Sequence, residues 1–463
     1  MKHRLFCSIR VATLLALAAA VYPRDHDEQG RKGSDVPMTR PQECLAVVDG
    51  VGSEATFAEL PDGSIMVARG RGRFSTSKDG GATWSEPREA RDVNGELLDG
   101  SDHNLIRLPG NGVGYASRGS GKGGEEVSHL RFWRSEDGGR SWQRPVRIGA
   151  PSSYGVAALN DVIFRTSSGR IVLPVYGYFG DSGYGRLGLG GMLGGLRKGQ
   201  FISTGAHMYD PRFCWSFVYY SDDDGRTWKM SRTREIFIWL AEPMMWHMTG
   251  EPTAVEVQPG KLLMFVRNDL GRLFQSWSYD NGETWTAPQP TQLAASNAPA
   301  QLRRIPGTGD LLVVWTQIGE EELRKGFLRA RLSSAVSRTN GGIWEFFQNV
   351  ESSLEGARVE PGPIRMVRPE GLVQRRLDQP APERDPQYVI DLPDNYCRCS
   401  YPGVFFYKDR VLVTHTNAHY DKDDNYVMPG RLRVLPISWL YGGAKNMKPN
   451  EGIRSLKKQF EIP

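Results

Sequence analysis

An eight-residue segment of nearly constant sequence occurs five times in this chain of 463 residues. It has Ser first, Asp third, Gly fifth and Trp eighth, and only the last copy differs, with Thr in the third place. The copies span residues 77–84, 135–142, 221–228, 278–285 and 337–344. Their starting points are 57 to 59 residues apart, except for one interval of 86 residues. A repeat of this length indicates one supersecondary unit that is used several times within a single fold.

Each copy has the composition of a tight turn, and the segments between the copies have the composition of β-strands. Asp accepts hydrogen bonds from nearby backbone N–H groups, and Gly adopts positive φ without a steric cost. Between the turns lie short runs rich in Val, Leu and aromatic residues, which include residues 170–175, 261–267, 310–316 and 410–416. A unit of 57 to 59 residues accommodates four short strands, and a ring of such sheets is a β-propeller.

The first hairpin of each unit gives the number of units. Each hairpin has a Gly at its turn, except the last, where Arg410 takes this place. Six positions lie nine residues before these turn residues, and we expect them at the entrance of the innermost strands: Glu54, His103, Asn160, Glu251, Ala300 and Tyr401. The sequence therefore predicts an all-β fold, a six-bladed β-propeller with four-stranded antiparallel blades.

Three Arg residues are predicted to return to the same end of the propeller. Counting six or seven residues forward from the hairpin Gly gives Arg69, Arg118 and Arg267 on the second strand of three units. Because the second strand of a hairpin ends where the first begins, we expect these Arg side chains near Glu251 and Tyr401. We call this end of the central axis of the propeller the mouth. A carboxylate, a phenol and several guanidinium groups at the mouth indicate a site for an anionic sugar.

The eight-residue repeat resembles the Asp-box of sialidases (neuraminidases), a family of six-bladed propellers, and the resemblance extends to three spacings. Sialidases have a Glu followed sixteen residues later by an Arg, which matches Glu251 and Arg267. They have a Tyr with an aliphatic residue three places on and a turn Asp eight places on, which fits Tyr401. They have an Arg eight residues before the fifth box, and that count falls on Arg329.

The resemblance implies a retaining exo-glycosidase with a Tyr nucleophile, a recognised exception to the two-carboxylate scheme. Tyr401 would be this nucleophile, and Glu251 would take its proton, because a phenol with a pKa of about 10 is a poor nucleophile. Arg267 and Arg329 would hold the substrate carboxylate with bidentate hydrogen bonds. A neutral phenol avoids the repulsion that a carboxylate nucleophile would meet from the carboxylate of the sugar. We expect no cofactor and no metal site, since the sequence has no Cys and His spacing of the zinc type.

Two features of the sialidase pattern are absent from this sequence. Ser53 stands where the family has its first Arg, and Arg69 or Arg118 is the expected replacement. No Asp lies in the segment before the first box, where the family has its acid, and Asp102 is the expected replacement. The spacings also leave neighbouring alternatives, which are Arg324 and Arg331 for Arg329, and Tyr396, Tyr407 and Tyr420 for Tyr401.

Composition and charge agree with one large domain and do not indicate a nucleic-acid partner. The formal net charge is +5 on 463 residues, and the Lys and Arg residues form no basic block. We expect the propeller to span residues 45–445, with a linker at residues 23–44 and a tail at residues 446–463. We expect it to act as a monomer on a glycan or glycoconjugate.

Residues 1–22 have the pattern of an export signal. Lys2, His3 and Arg4 precede an apolar stretch at residues 11–21 that ends in small residues. This stretch is too short to span a bilayer as a mature helix, so the mature chain is predicted to have no membrane span and to be secreted or periplasmic. Arg10 interrupts the apolar region, which leaves a retained N-terminal anchor as an alternative.

The sequence supports three hypotheses on function. The first is a sialidase-like exo-glycoside hydrolase that removes a terminal acidic sugar from glycans. The absent Arg and Asp favour the second, a non-catalytic propeller of the same fold that binds glycan or protein. The third is an enzyme that cleaves a different sugar acid.

Overall fold

The structure is a computed structural model that describes residues 44–120, 128–179, 194–203, 213–240, 245–319, 328–353, 389–392 and 396–448. The predicted signal peptide, and all but a few residues of the predicted linker and tail, lie outside these ranges. The described residues form the all-β, six-bladed propeller with four-stranded antiparallel blades that the sequence predicts. Their helices are two short 3-10 turns, Ile437–Tyr441 and Ala444–Asn446. Neither turn has the length or the apolar character that a membrane span requires.

Strands are numbered in chain order, and β1 (Ala46–Asp49) precedes the first blade. Blade 1 contains β2 (Phe57–Glu59), β3 (Ile65–Ala68), β4 (Arg73–Ser77) and β5 (Arg88–Glu89). Blade 2 contains β6 (Ser101–Arg107), β7 (Val113–Ser120), β8 (Ser128–Ser135) and β9 (Val146–Ile148). In both blades the strands pair in chain order, so the first strand is innermost and the fourth outermost.

Blade 3 differs in having an inner edge made of two short strands. These are β10 (Gly155–Ala157) and β11 (Phe164–Arg165), which both pair with β12 (Ile171–Phe179). The outer strands are β15 (Phe213–Ser221) and β16 (Lys229–Met230). Four short strands lie outside the blades: β13 (Gly194–Arg197), β14 (Gln200–Ser203), β17 (Ile238–Leu240) and β18 (Met245–His247).

Blades 4 and 5 repeat the regular arrangement. Blade 4 contains β19 (Gly250–Gln258), β20 (Lys261–Arg267), β21 (Arg272–Ser278) and β22 (Gln289–Ala294). Blade 5 contains β23 (Ala300–Arg304), β24 (Leu311–Thr316), β25 (Arg331–Ser337) and β26 (Glu345–Ser352).

Blade 6 closes the ring with strands from both ends of the described chain. Its inner strands are β28 (Cys397–Tyr407), β29 (Arg410–Tyr420) and β31 (Gly430–Pro436), and β1 adds the outermost strand by pairing with β31. One further strand, β30 (Tyr426–Val427), pairs with β29 in this sheet. Outside the blades, β27 (Val389–Asp391) pairs with β13 in a small separate sheet. Because β1 and β31 pair in one sheet, backbone hydrogen bonds between the first and last strands of the described chain hold the ring closed.

Six buried apolar clusters hold neighbouring blades together in the described part of the chain. Each cluster combines residues of two adjacent blades, so that every interface between blades has one. At the closing interface, Phe57 of blade 1 stacks on Phe405 of blade 6, with ring centroids 5.6 Å apart. Burial of apolar surface, at roughly 25 cal/mol per Å², is the main stabilising contribution to such an arrangement. The packing therefore fixes the six inner strands around one axis.

The repeated eight-residue segments form turns between the third and fourth strands of blades 1 to 5. In the first copy, Asp79 accepts hydrogen bonds from the backbone N–H and the hydroxyl of Thr83, at 2.9 and 2.6 Å. Trp84 donates its indole N–H to the carbonyl of Gly81 at 3.1 Å. The same contacts recur in the second, third and fourth copies. The boxes are therefore structural turns, each of which holds a Trp against the core.

Loss of the box carboxylate is expected to destabilise the propeller. Asp79→Ala removes the acceptor for the two Thr83 hydrogen bonds and for that of the Ser77 hydroxyl, so we expect a loss of about 1 to 3 kcal/mol in the free energy of unfolding. Lys78→Ala, at the exposed neighbouring position of the same box, should change it by less than about 0.5 kcal/mol. Denaturant titration measures both, and equal effects would contradict the structural role of the carboxylate.

Candidate active site

One end of the propeller has an unusual backbone conformation at the entrance of its inner strands. In five of the six blades a non-Gly residue with positive φ lies there: Glu54 (58°), Asp102 (56°), Asn160 (69°), Glu251 (39°) and Tyr401 (57°). This conformation costs an L-residue roughly 1 to 2 kcal/mol. Strain that recurs at one place and is upheld by the surrounding structure is typical of functional sites.

In blades 2, 4 and 6 the strained residue belongs to a β-bulge. In blade 4, Gly250 pairs with Arg267 and Thr253 pairs with Phe265, so two inner residues oppose a single residue of β20. The same shift of register occurs between β6 and β7 and between β28 and β29. A bulge redirects the side chain of its first residue. In this way Asp102, Glu251 and Tyr401 are presented at the mouth of the propeller.

The predicted ring position in blade 2 was wrong by one residue. His103 lies nine residues before Gly112, the turn Gly of blade 2, and Glu54 lies nine residues before Gly63, the turn Gly of blade 1. The two Gly residues are not structurally equivalent. In the structure the carbonyl of Gly112 accepts a hydrogen bond from the N–H of Leu108 and so closes its loop. In blade 1 the carbonyl that closes the loop is that of Ser64, which follows Gly63. Asp102 is therefore the residue equivalent to Glu54 and Glu251. His103 points elsewhere, with its Nδ1 2.5 Å from the hydroxyl of Tyr115.

Glu251, Arg267 and Tyr401 meet at the mouth, although the chain separates Glu251 from Tyr401 by 150 residues. Arg267 donates from Nη1 to Glu251 Oε2 at 2.5 Å and to the Tyr401 hydroxyl at 3.1 Å. The hydroxyl of Tyr401 donates to Glu251 Oε1 at 3.4 Å. Blade 5 lies between the two blades and begins its inner strand with Ala300, whose small side chain does not obstruct this contact. The structure thus joins three of the residues that the sequence selects.

Arg329 lies beside this group. Its guanidinium carbon is 5.3 Å from the centroid of the Tyr401 ring, and the side chain donates to the carbonyl of Asn297 at 2.8 Å. The residue is only 3% exposed, and among the described residues no carboxylate pairs with it. Burial lowers the pKa of Arg329 to about 10, so it keeps its charge at neutral pH. A buried cation without a paired anion favours binding of a negatively charged group.

Asp102 and Arg118 form a second ion pair at the mouth. Arg118 donates from Nε and Nη2 to the two carboxylate oxygens of Asp102, at 2.6 and 3.1 Å. It also donates from Nη1 to the hydroxyl of Tyr178 at 3.1 Å. The Asp102 side chain is 1% exposed, and a bidentate guanidinium pair of this kind stabilises the ionised carboxylate.

The structure does not bring Arg69 together with the other predicted binding residues. Its guanidinium donates to the carbonyl of Gly50 at 2.6 Å and to the hydroxyl of Ser75 at 3.1 Å. In blades 2 and 4 the mouth Arg lies two residues after Ala116 and Phe265, which pair with Asn104 and Thr253. The equivalent residue in blade 1 is Ala68, which lies opposite Thr56, so Arg69 follows it by only one residue. Successive side chains of a strand point to opposite faces, so this difference of one residue turns Arg69 away.

Glu54 is the mouth residue that sequence reasoning left without a role. It has the same left-handed conformation as Glu251, and its backbone N–H donates to the carbonyl of Tyr401 at 3.3 Å. Burial, followed by the negative charges of Asp102 and Glu251, raises the pKa of Glu54 to about 8. The signal in the sequence was the similarity of residues 54–63 to residues 251–260, which has the form of an internal duplication.

The sequence also left neighbouring alternatives for two of these residues. Arg324 lies outside the described residues, and Arg331 is a buried residue of β25. Tyr407 donates to the carbonyl of Gly63 at the opposite end of the propeller, at 2.7 Å. Tyr396 is buried ahead of β28, and Tyr420 lies 4.1 Å from the guanidinium of Arg197. Of the predicted Tyr residues, Tyr401 is the one that contacts Glu251 and Arg267.

A six-bladed propeller with Asp-box turns and this mouth defines a protein of the sialidase-like fold. The chain belongs to the BNR repeat-like domain family, whose profile matches residues 113–412, more than half of the chain. No protein of curated function matches the sequence.

Several solved structures are similar to this chain at low sequence identity. A Hadza microbial sialidase is 14% identical with a TM-score of 0.51, and the match covers 88% of this chain and 69% of that protein. The Trypanosoma rangeli sialidase in complex with sialic acid is 17% identical with a TM-score of 0.46, over 93% of this chain and 60% of that protein. A Dyadobacter fermentans protein of unknown function is 16% identical with a TM-score of 0.47, over 87% of this chain and 99% of its own length. At such identities the likeness concerns the fold alone.

Proposed function

We propose that this protein is a retaining exo-glycosidase that removes a terminal acidic sugar, such as sialic acid, from glycans. The observation that carries the proposal is the position of the Tyr401 hydroxyl, within hydrogen-bond reach of both Glu251 and Arg267. A phenol between a carboxylate and a guanidinium has a base to take its proton and a cation to stabilise its anion.

In the proposed reaction Tyr401 is the nucleophile and Glu251 its base. Burial, and then the charge of Glu251, raise the pKa of Tyr401, so the phenol is neutral at physiological pH and needs a base in order to attack. The Glu251 carboxylate, 3.4 Å away, is placed to accept the proton as the phenol oxygen approaches the anomeric carbon. Arg267 contacts both groups and stabilises the negative charge in either position.

Arg329 provides the proposed specificity for an acidic sugar. Its guanidinium is buried and lies over the Tyr401 ring. In the proposed reaction it would therefore contact the carboxylate on the anomeric carbon that Tyr401 attacks. Arg267 would complete a two-Arg clamp on that carboxylate. A neutral sugar would leave the charge of Arg329 without a partner, so the site favours anionic substrates.

The test is hydrolysis of fluorogenic glycosides by the purified protein. We expect release from a sialoside but not from the matching galactoside, which lacks the carboxylate. Arg329→Lys keeps the charge but loses the planar pair of donors, so KM for the sialoside should rise about 10- to 100-fold, with a smaller change in kcat. The proposal would be contradicted if the protein hydrolysed no glycoside of a sugar acid, or if Arg329→Lys left KM unchanged.

One observation favours a propeller that binds acidic glycans without cleaving them. Asp102, the expected replacement for the absent acid, is held by Arg118 in a bidentate ion pair and is poorly suited to donate a proton. Calorimetric binding of a sialylated oligosaccharide that is recovered intact after prolonged incubation would support this second function. Loss of the binding in Arg267→Ala would locate it at the same mouth.

A further inference from the structure

We propose that Glu54, in place of Asp102, is the acid that protonates the departing oxygen of the glycosidic bond. This assignment rests on the proposed function, in which Tyr401 attacks the anomeric carbon. It is carried by a comparison of three carboxylic acids that occupy equivalent positions in three blades, Glu54, Asp102 and Glu251.

Two of the three acids are paired with an Arg of their own blade. Arg118 lies 2.6 Å from Asp102, and Arg267 lies 2.5 Å from Glu251. Both Arg residues occupy the same place on the second strand of the blade, two residues beyond the last regular pair. A carboxylate with such a partner has its negative charge neutralised by the guanidinium group, which suits it to act as a base or as a structural anion.

The third acid has no such partner, and the reason lies in the sequence of blade 1. The last regular pair in this blade is Phe57 with Val67, and the same register places Ala68 opposite Thr56, to whose carbonyl the Ala68 N–H donates at 3.3 Å. Ala68 is therefore the equivalent of Ala116 and Phe265. Two residues further on is Gly70, so the position that has Arg in blades 2 and 4 has no side chain in blade 1. Among the described residues, the Glu54 carboxyl group forms neither an ion pair nor a side-chain hydrogen bond.

The surroundings of Glu54 favour its neutral form. Burial is the main cause that raises the pKa of the carboxyl group to about 8. The negative charges of Asp102 and Glu251 also raise it, and these two effects are larger than the opposite effects of Arg118 and Arg267. At neutral pH, Glu54 therefore carries a proton, and it lacks the guanidinium partner that Asp102 and Glu251 each have. Acids in one site whose environments separate their protonation states divide the acid and base roles between them.

Glu54 is also placed where a proton donor is required. Its backbone N–H donates to the carbonyl of Tyr401, so the acid and the nucleophile lie on neighbouring inner strands of blades 1 and 6. Glu54 lies deep enough in the mouth for burial to raise its pKa, but the residue keeps some solvent-accessible surface there, whereas Asp102 is only 5% exposed. A substrate at the mouth can therefore reach Glu54 directly.

The proton transfers balance over the two halves of the reaction. In the first, the Tyr401 oxygen bonds to the anomeric carbon and its proton passes to Glu251, while the glycosidic C–O bond breaks and its oxygen takes the proton of Glu54. In the second, water attacks the anomeric carbon and gives a proton to the Glu54 carboxylate. The bond to the Tyr401 oxygen breaks, and Glu251 returns the proton to the phenol.

The test compares Glu54→Gln and Asp102→Asn on two sialosides that differ in their leaving groups. An alkyl alcohol needs protonation to depart, whereas an acidic phenol does not. Glu54→Gln should therefore lower kcat/KM about 100- to 10,000-fold for the alkyl sialoside but less than about 10-fold for the aryl sialoside. Any effect of Asp102→Asn should be similar for both substrates. A leaving-group effect in Asp102→Asn and none in Glu54→Gln would overturn the assignment.

The dependence on pH gives a second readout of the same acid. The protonated form of Glu54 is the active one, so kcat/KM of the wild type for the alkyl sialoside should fall as the pH rises through about 8. In Glu54→Gln this fall should be absent, because the amide does not titrate. A fall at the same pH in both proteins would contradict the role of Glu54.

Infrared spectroscopy separates this inference from the proposed function. The difference spectrum between the wild type and Glu54→Gln should contain the band of a protonated carboxyl group at pH 7, and the band should vanish above about pH 8. Failure of the wild type to cleave either sialoside would refute the proposed function, and with it the reaction assigned to Glu54. A protein that cleaves both but has an ionised Glu54 at pH 7 would refute the proton-donor role alone.

Discussion

Tyr401→Phe is expected to reduce kcat for a sialoside by more than about 1,000-fold. The substitution removes the oxygen that would form the covalent bond and keeps the ring, which packs beside Arg329 at 5.3 Å. The loss should appear in kcat and kcat/KM alike, because the phenol oxygen acts in the transition state and contributes little to substrate binding. Steady-state hydrolysis of a fluorogenic sialoside measures both constants.

Tyr407→Phe is the matched control for this experiment. It removes a hydroxyl from the same strand, β28, but that hydroxyl donates to the carbonyl of Gly63 at the opposite end of the propeller. Stability should fall by about 1 kcal/mol, and the rate of hydrolysis should stay the same. If Tyr401→Phe retained the rate of the wild type, Tyr401 would not be the nucleophile.

Arg267→Ala is expected to reduce the free energy of unfolding by about 3 to 5 kcal/mol. The side chains of Arg267 and Glu251 are 13% and 7% exposed, so removal of the guanidinium leaves a buried carboxylate without its nearest cation. The double variant Arg267→Ala with Glu251→Leu removes both charges and should recover most of this loss. Chemical denaturation of the wild type, Arg267→Ala, Glu251→Leu and the double variant gives the coupling energy between the two residues.

An exposed ion pair provides the comparison for this cycle. Arg91 and Glu89 lie 2.9 Å apart, but each side chain is 54% exposed. Arg91→Ala should therefore change the free energy of unfolding by less than about 1 kcal/mol. If Arg267→Ala had an effect no larger than Arg91→Ala, the mouth would be well hydrated, and the electrostatic argument for the site would be wrong.

The architecture could be predicted because its signals are local. The Asp-box turns recur at a nearly constant interval, and every described copy of the full motif makes the same hydrogen bonds. The spacing of Glu251 and Arg267 is that of one hairpin, which fixes their proximity once the strands are known. Tyr401 reaches them only through closure of the ring, which the number of units predicted.

The details of the mouth could not be predicted because a shift of one position along the sequence changes which side chain faces it. A bulge with a left-handed Glu, Asp or Tyr has no sequence signature, since these residues seldom adopt positive φ. A hairpin loop with its Gly shifted by one place led to His103 where Asp102 belongs. The same uncertainty of one residue selected Arg69, whereas the structural equivalent of Arg118 and Arg267 is Gly70.

Closure of blade 6 by β1 could not be predicted from the sequence. In the structure β31 (Gly430–Pro436) is the third strand of the blade, and β1 pairs with it as the fourth. Pairing between the two ends of a chain depends on tertiary arrangement, because the short segment Ala46–Asp49 has no distinctive pattern of its own.

The most direct test of a Tyr-based glycosidase is to trap the covalent intermediate. Incubation with a fluorinated sialic acid that carries a good leaving group, followed by proteolysis and mass spectrometry, should find the sugar bonded to Tyr401. The adduct should be absent from Tyr401→Phe. Attachment to Glu251 or Glu54, or steady turnover of substrate without any trapped adduct, would contradict the mechanism.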